Sequence, residues 1–386
     1  MYIIEKPFVS EYLIDAIINR DWVVLSNETI DTCGLEEDVL NLWSTEKATE
    51  YYLKQEFPLI YSNSELAVKW IVENLPQSNL TKYIKAFKDK FAFREMMKDM
   101  YPDFYFKSLE YLDINYIEKD ELSFPLVIKP SVGFLNFGVR VVEEPDKWDA
   151  VVKTLHKEIA TNKSKYDENV INSAIILIEE YIKGDDFSVD AYYDRNGVPV
   201  ILNIFKRLYK DGDSVCEKLY ITSASLMVQY MSKFTLFLNQ LGEKLGIKNF
   251  PLNIELRINE DGNIVPVEVN PMRFANWCVS DLAKYAWGFN IYEYFEEQKH
   301  PDWNTILQRA GQTIYYASLI NIPQGFPKSS VSDFNFNGYL ANFSNIFEVR
   351  RVNFKSNPLF GVVLGSTSDT EELDMIVNKE QGPFII

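Results

Sequence analysis

Glu255, Glu268 and Asn270 are the residues whose types and spacing come closest to chemistry. Glu255 falls in the apolar segment 253–258, and Glu268 and Asn270 in the return strand begun by the segment 264–269, on either side of Asp261-Gly262, a pair that marks a hairpin turn. Glu268 and Asn270 are two apart, so on a strand both side chains take one face. Three oxygen donors from paired strands suit magnesium, with phosphate and water oxygens completing its shell. Carboxylates gathered on an otherwise apolar hairpin are costly without a cation. A solvated sheet face would show the same pattern. Pro271 ends the segment, and Arg273 follows in a loop, where a guanidinium can clamp a carboxylate or phosphate.

Two further places carry charge at the end of an apolar run. Lys129 closes 124–129 and precedes Pro130-Ser131-Val132-Gly133, so its ammonium can stand beside phosphates that the loop N–H groups cover. A surface lysine is the plainer alternative. Glu179 and Glu180 end the apolar run 174–182, and a strand end beside an apolar pocket suits a purine. An acidic strand end is again the alternative. Lys206, Arg207, Tyr220, Thr222 and Arg257 are softer candidates for a substrate cleft. Arg257 shares a face with Glu255 and equally suits balancing the carboxylates.

The elements that must position these groups alternate between strand and helix. Ser10 caps a helix to about residue 19, residues 22–25 form a short strand, and a polar, helix-like stretch runs to about residue 55. A strand at 58–61 and a capped helix at 64–75 follow, together implying a small, mostly parallel sheet. Lys82, Lys85, Lys88, Lys90 and Arg94 then form a basic cluster, with a helix over 91–100. Strands are expected at 124–130, 138–142, 174–182, 187–193 and 200–205, the last two joined by an Asn196-Gly197 turn. Helices are expected at 147–160 and 228–245. The last 90 or so residues hold short apolar segments such as 361–364 and suggest an α+β region.

Composition narrows the function. The chain has 386 residues, 39 Lys and Arg against 56 Asp and Glu, and a net charge of −17. Such a surface repels phosphate backbones, which argues against nucleic acid as partner. No apolar run is long enough for a membrane span. Glu5 and Lys6 interrupt the place where a signal peptide needs its apolar region, so the expected location is cytoplasmic. Three scattered cysteines and two histidines give no thiolate or imidazole metal site. Any divalent metal would be a hard one on carboxylates.

Together these pieces resemble the ATP-grasp superfamily. Asp89-Lys90-Phe91-Ala92-Phe93-Arg94-Glu95 is similar to that family's lysine-bearing helix entry. Residues 124–131 resemble its second lysine and the start of its phosphate loop. Ile178-Glu179-Glu180-Tyr181-Ile182, then Gly184-Asp185-Asp186, resemble its adenine hinge. Ile254-Glu255-Leu256-Arg257 and Val267-Glu268-Val269-Asn270-Pro271-Met272-Arg273 resemble its metal strands. The four blocks keep the family's order and cover about half the chain.

The resemblance implies a mixed α/β and α+β fold in which two α+β lobes grip ATP. It implies a Rossmann-like N-terminal domain over 1–87, the ATP-grasp domain over 88–290 with a lid at about 124–182, and a C-terminal α+β extension over 291–386. It gives Lys90, Lys129 and Ser131 to the phosphates; Glu179, Glu180 and Ile182 to adenine; and Asp186 to ribose. Glu255, Glu268 and Asn270 go to magnesium (or manganese), and Arg273 to the transferred phosphoryl group or the acyl phosphate. The implied activity is an ATP-dependent ligase joining a small carboxylate or amino acid to an amine, and the homodimer common in that family is the assembly it suggests. The alternatives are a kinase on the same fold, or a nucleotide-binding regulatory protein with a degraded site. The hallmark of the last would be loss of Glu268, Asn270 or a lysine, and all are present. Phe134 and Phe137 depart from the family's small-residue phosphate loop, and Phe274-Ala275-Asn276-Trp277 from its glycine-rich turn.

Overall fold

The computed structural model describes residues 1–32, 37–132, 138–162, 172–210, 217–323 and 326–386. At the N-terminus β1 (Tyr2–Ile3), β2 (Val23–Leu25), β3 (Asn41–Trp43) and β4 (Tyr61–Ser62) pair in parallel, in the order β3-β2-β1-β4. The Ser10 hydroxyl accepts from the Leu13 N–H at 3.1 Å and starts the helix Glu11–Asn19. β3 interrupts the stretch expected to be helical. Three residues are too few to show a period, and Ser44 immediately caps the next helix, Thr45–Tyr52.

A second sheet holds β5 (Phe106–Glu110), β6 (Leu126–Val132), β7 (Arg140–Val142) and β8 (Asn172–Glu180) in the antiparallel order β5-β8-β6-β7. It begins before residue 124, because β5 is its edge. Its inner face buries Leu126, Ile128, Ile176 and Ile178 against Trp148, Val152 and Leu155 of the helix Trp148–Asn162. Each such aliphatic side chain contributes about 1.5–3 kcal/mol by leaving water, so this lobe has a core of its own.

The third sheet has eight strands: β9 (Asp185–Tyr193), β10 (Pro199–Tyr209), β11 (Glu217–Thr222), β12 (Phe250–Ile258), β13 (Ile264–Pro271), β14 (Ile314–Asn321), β15 (Asn345–Arg351) and β16 (Leu359–Thr367). All described pairings are antiparallel, in the order β13-β12-β9-β10-β11-β14-β16-β15. The C-terminal strands therefore lengthen the central sheet. The helix Ala224–Leu245 packs on one face, where Phe187 meets Tyr230 and Phe234. Strand alternation turns Asp186, Ser188 and Asp190 of β9 to the opposite face.

One apolar cluster runs from Tyr2, Ile3 and Tyr61 through Phe87 and Phe250 to Phe234 and Leu238, so the N-terminal and central sheets share a core. The Ser62 N–H also donates to the Met272 carbonyl at 2.8 Å, tying β4 to the segment beyond β13. Among the described residues no helix is long and apolar enough to cross a membrane.

Candidate functional site

Glu255 of β12 stands opposite both Glu268 of β13 and Ser188 of β9. The next pair is Leu256 with Pro266, so Val267 is the extra residue of a β-bulge. Bulges re-aim the local side chain, and Val267 is half-buried where Val265 and Val269 are buried. The Asn270 Nδ2 lies 3.3 Å from Glu255 Oε1 and 3.4 Å from Asn253 Oδ1. The three expected metal ligands are thus one group on the polar face.

Their charge is already answered. Lys90 Nζ is 2.7 Å from Glu268 Oε1, and Arg207 Nη1 is 2.8 Å from Glu255 Oε2. Burial disfavours the Lys90 ammonium, but Glu268, with Glu65 and Glu255 behind it, outweighs burial and raises its pKa. Among the described residues no group of three or more His, Cys, Asp or Glu side chains is placed to hold a metal ion. The set here is two carboxylates and an amide, all hard oxygen donors, and it fits magnesium in place of the two cationic side chains.

Lys90 begins the helix Lys90–Met97, which Asp89 caps by accepting from Phe91 N and Ala92 N at 3.0 and 3.1 Å. Ser131 of β6 donates its hydroxyl to the same Asp89 carboxylate and accepts from Phe91 N at 3.3 Å. It joins the lid strand to the helix start. One turn on, Arg94 shares the face of Lys90. Its Nε meets Glu179 at 2.8 Å and its Nη1 meets the Pro266 carbonyl at 2.5 Å. A single buried guanidinium therefore touches both walls of the cleft.

Lys129 is buried inside β6 and bonded to Glu179, so it is no surface lysine. Burial alone would raise the Glu179 pKa, but Arg94 and Lys129 hold it down to about 2. Burial lowers the Lys129 pKa, against the pull of Glu179. In the hinge, Glu180 N donates to the Tyr105 carbonyl and Tyr181 N to that of Pro125, both at 3.1 Å. Burial raises the pKa of the half-buried Glu180 carboxyl. The Ile182 carbonyl accepts from Arg257 Nη1 at 2.7 Å.

Asp186 is more heavily engaged than a free ribose acceptor. Its Oδ1 takes Arg207 Nε at 2.8 Å and Nη2 at 2.5 Å, and its Oδ2 takes Tyr209 at 2.8 Å and Arg257 Nε at 3.1 Å. Four donors fill the roughly four lone-pair positions of a carboxylate. Arg257 and Arg207 therefore balance acids, while Lys206 pairs with Asp185 at 2.8 Å. Thr222 gives its hydroxyl to Asn203 at 2.8 Å, and Tyr220 packs on Phe205. A cavity of about 400 Å3 opens at this end, lined by Tyr181, Asp186, Arg207, Arg257, Asp374 and Asn378. A larger one, about 1030 Å3, lies against the helix Ala224–Leu245 and includes only Glu180 of the expected site residues.

Arg273 is 3% exposed and bound at both ends, by Nη2 to Glu65 Oε1 at 2.6 Å and by Nη1 to its neighbour's carbonyl at 2.9 Å. The remaining expected loop residues, Gly133, Phe134, Asn136 and Phe137, lie outside the described residues. Sequence reasoning assigned no role to Arg94 or Glu65. The i, i+4 spacing of Lys90 and Arg94 was a signal for the first; for Glu65 the sequence holds none.

Comparison with known proteins bears on the domain and the fold that carry these residues. Residues 122–281 match the model of the ATP-grasp domain. An 89-residue stretch is 32% identical to a D-alanine–D-alanine ligase of Bacillus anthracis (strain CDC 684 / NRRL 3495), covering 23% of this chain and 24% of that protein. The match thus spans about a quarter of that relative. The structure superposes on an L-amino acid ligase from Bacillus licheniformis with a TM-score of 0.66, at 18% identity, over 97% of this chain and 95% of that one. It also superposes on the biotin carboxylase domain of the Hydrogenobacter thermophilus 2-oxoglutarate carboxylase, solved with MgADP, ADP and bicarbonate. There the TM-score is 0.60 at 13% identity, over 95% and 86% of the two chains. By the match at residues 122–281 the chain carries an ATP-grasp domain, and nearly its whole length shares its fold with these solved structures.

Proposed function

We propose that this protein is an ATP-dependent ligase that joins a small carboxylate to an amine through an acyl phosphate, releasing ADP and phosphate. The observation that carries the reading is the cleft itself: Glu255, Glu268 and Asn270 with Lys90 on one wall, Lys129 with Glu179 on the other, and Arg94 touching both. Phosphoryl transfer asks for charge neutralisation and alignment more than covalent help, and this is a concentration of fixed cations beside hard oxygen donors. The relatives named as amino acid ligases support the carboxylate–amine class.

In this reading Lys129, Lys90 and Ser131 hold the phosphates, and the hinge at Glu179, Glu180 and Ile182 holds the base. The ribose hydroxyls reach Asp186 only as one of its four donors yields. Magnesium on Glu255, Glu268 and Asn270 would neutralise charge on the phosphates. A substrate carboxylate oxygen attacks the γ-phosphorus and the bond to the β-phosphate oxygen breaks, giving acyl phosphate and ADP. The amine then attacks the acyl carbon, the carbon–oxygen bond to phosphate breaks, and the nitrogen loses a proton. Arg273 stabilises the oxyanion formed between these events.

The test is ADP release with ATP and Mg2+ across pools of carboxylates and amines, with the products identified. ADP and free phosphate that require both a carboxylate and an amine, with a new amide, are expected. Phosphate retained on a single substrate would make the protein a kinase. Absence of both turnover and ATP binding would reject the catalytic reading.

A further inference from the structure

Glu65 belongs to the N-terminal third of the chain, in the short 3-10 turn Glu65–Ala67 just beyond β4. It is 6% exposed, an unusual place for a carboxylate. One of its oxygens bonds the Lys88 ammonium; the other takes Arg273 Nη2 at 2.6 Å. Lys88 ends the helix Asn79–Lys88, and Arg273 follows the metal strand, so one side chain ties three segments together. Lys90, the partner of Glu268, also lies within reach of Glu65's charge.

The bond to Arg273 uses only part of the guanidinium fork. Nη1 is taken by the Phe274 carbonyl and Nη2 by Glu65, but Nε is buried with no hydrogen-bond partner. A buried donor left unmatched marks a place where a ligand oxygen or water belongs. Glu65 takes Nη2, which shares the Nε edge of the guanidinium, and leaves the Nε–H itself for another acceptor. Arg273's aim is therefore set from outside the ATP-grasp domain. Burial opposes the Glu65 charge, but Lys88 and Arg273 bring its pKa down to about 2, so the grip stays ionic across the physiological range.

We infer that Glu65 is the positioning residue for Arg273, fixing the guanidinium against the acyl phosphate and carrying the placement of the N-terminal sheet into the reaction centre. The inference rests on the ligase reading above. A displaced guanidinium is expected to cost on the order of 10²-fold in turnover. ATP should bind nearly as before, because Glu65 bonds Lys88 and Arg273 and reaches Lys90, of the residues given to the nucleotide, only through space.

The experiment is a double-mutant cycle on the full chain with Glu65→Gln, Arg273→Lys and the pair, reading kcat, KM for the carboxylate, ATP affinity and melting temperature. The expected result is a large fall in kcat for Glu65→Gln at unchanged ATP affinity, and a double variant no slower than Arg273→Lys alone. Should Glu65→Gln fail to fold, Glu65→Asp enters the same cycle; it keeps the charge and draws the carboxylate back by one methylene. Effects that multiply, or an unchanged kcat, would overturn the positioning role while leaving the ligase reading intact. A wild-type protein that releases no ADP with any carboxylate–amine pair overturns both.

Discussion

Single charges in this cleft are held by partners remote in sequence, and their removal has consequences for both fold and chemistry. Lys129 and Glu179 are 50 positions apart, Lys90 and Glu268 are 178 apart, and Arg94 joins Glu179 to the Pro266 carbonyl on the strand of Glu268. Removing one partner of a fully buried pair costs about 3–5 kcal/mol, because the other charge is left unanswered. Lys129→Ala is therefore expected to lower unfolding stability by about 3 kcal/mol and to abolish the stabilisation that ATP gives; an unchanged urea midpoint would remove Lys129 from the buried network. Glu268 is more exposed, and Glu268→Gln keeps a polar partner for Lys90. That variant should melt close to wild type yet lose turnover, and wild-type ADP release would exclude Glu268 as a metal ligand. The types and order of these residues were legible in the sequence, since they lie in recognisable blocks. Their pairings were not: nothing local to Arg94 or Glu65 reports which distant carboxylate or guanidinium it meets.

Elements set the separation of the two walls, and the tightest constraint is the turn between β8 and β9. Gly184 has φ +138°, and a Cβ there would sit 1.9 Å from the Ile258 carbonyl at the end of β12. That carbonyl is backbone and cannot rotate away. Gly184→Ala should cost about 2 kcal/mol or more and push the hinge from the central sheet, seen as a lower melting temperature together with weaker ATP binding. If ATP affinity is unchanged in a folded variant, the hinge is not the nucleotide's support. Long elements with clear punctuation could be read from sequence. β9 and β10 flank Asn196-Gly197, β12 and β13 flank Asp261-Gly262, and the helix expected over 228–245 ends at Gly246, φ +67°, though it begins four residues earlier, at Ala224 after its Ser223 cap. Strands of two or three residues, such as β1 and β3, carry too few positions for any period to register. β5 and β11 owe their strand state to the neighbours they pair with, and the bulge at Val267 exists only in the register of two strands.

At the scale of the whole molecule, the clamps that join its parts are carboxylates, which makes pH the natural probe of cohesion. Glu179 ties the lid to the central body and Glu65 ties the N-terminal sheet to the loop after β13, both with pKa values near 2 against about 4.3 when unfolded. A depressed carboxylate pKa stabilises fully above the unfolded value and loses that contribution as pH falls toward the folded one. These clamps should thus hold above about pH 4.5 and fail between about 4.5 and 2. Asp190 acts in the opposite direction. It is wholly buried, one oxygen accepts from Asn253 and Ala275 at 2.8 Å, and burial raises its pKa to about 6. Its ionisation therefore weakens the fold as pH rises from about 4 through 6. Self-repulsion of a chain with net charge −17 adds to that loss toward neutral pH. The urea midpoint is accordingly expected to climb from pH 7 to about pH 5 and drop steeply below 4.5, with Asp190→Asn flattening only the upper limb. Because the N-terminal and central sheets share one apolar core, backbone circular dichroism and tryptophan fluorescence should report one coincident transition throughout. A midpoint that rises steadily with pH would show that Asp190 is not the buried acid described here, and separated transitions would show that the Glu65 clamp and the shared core do not hold the parts together.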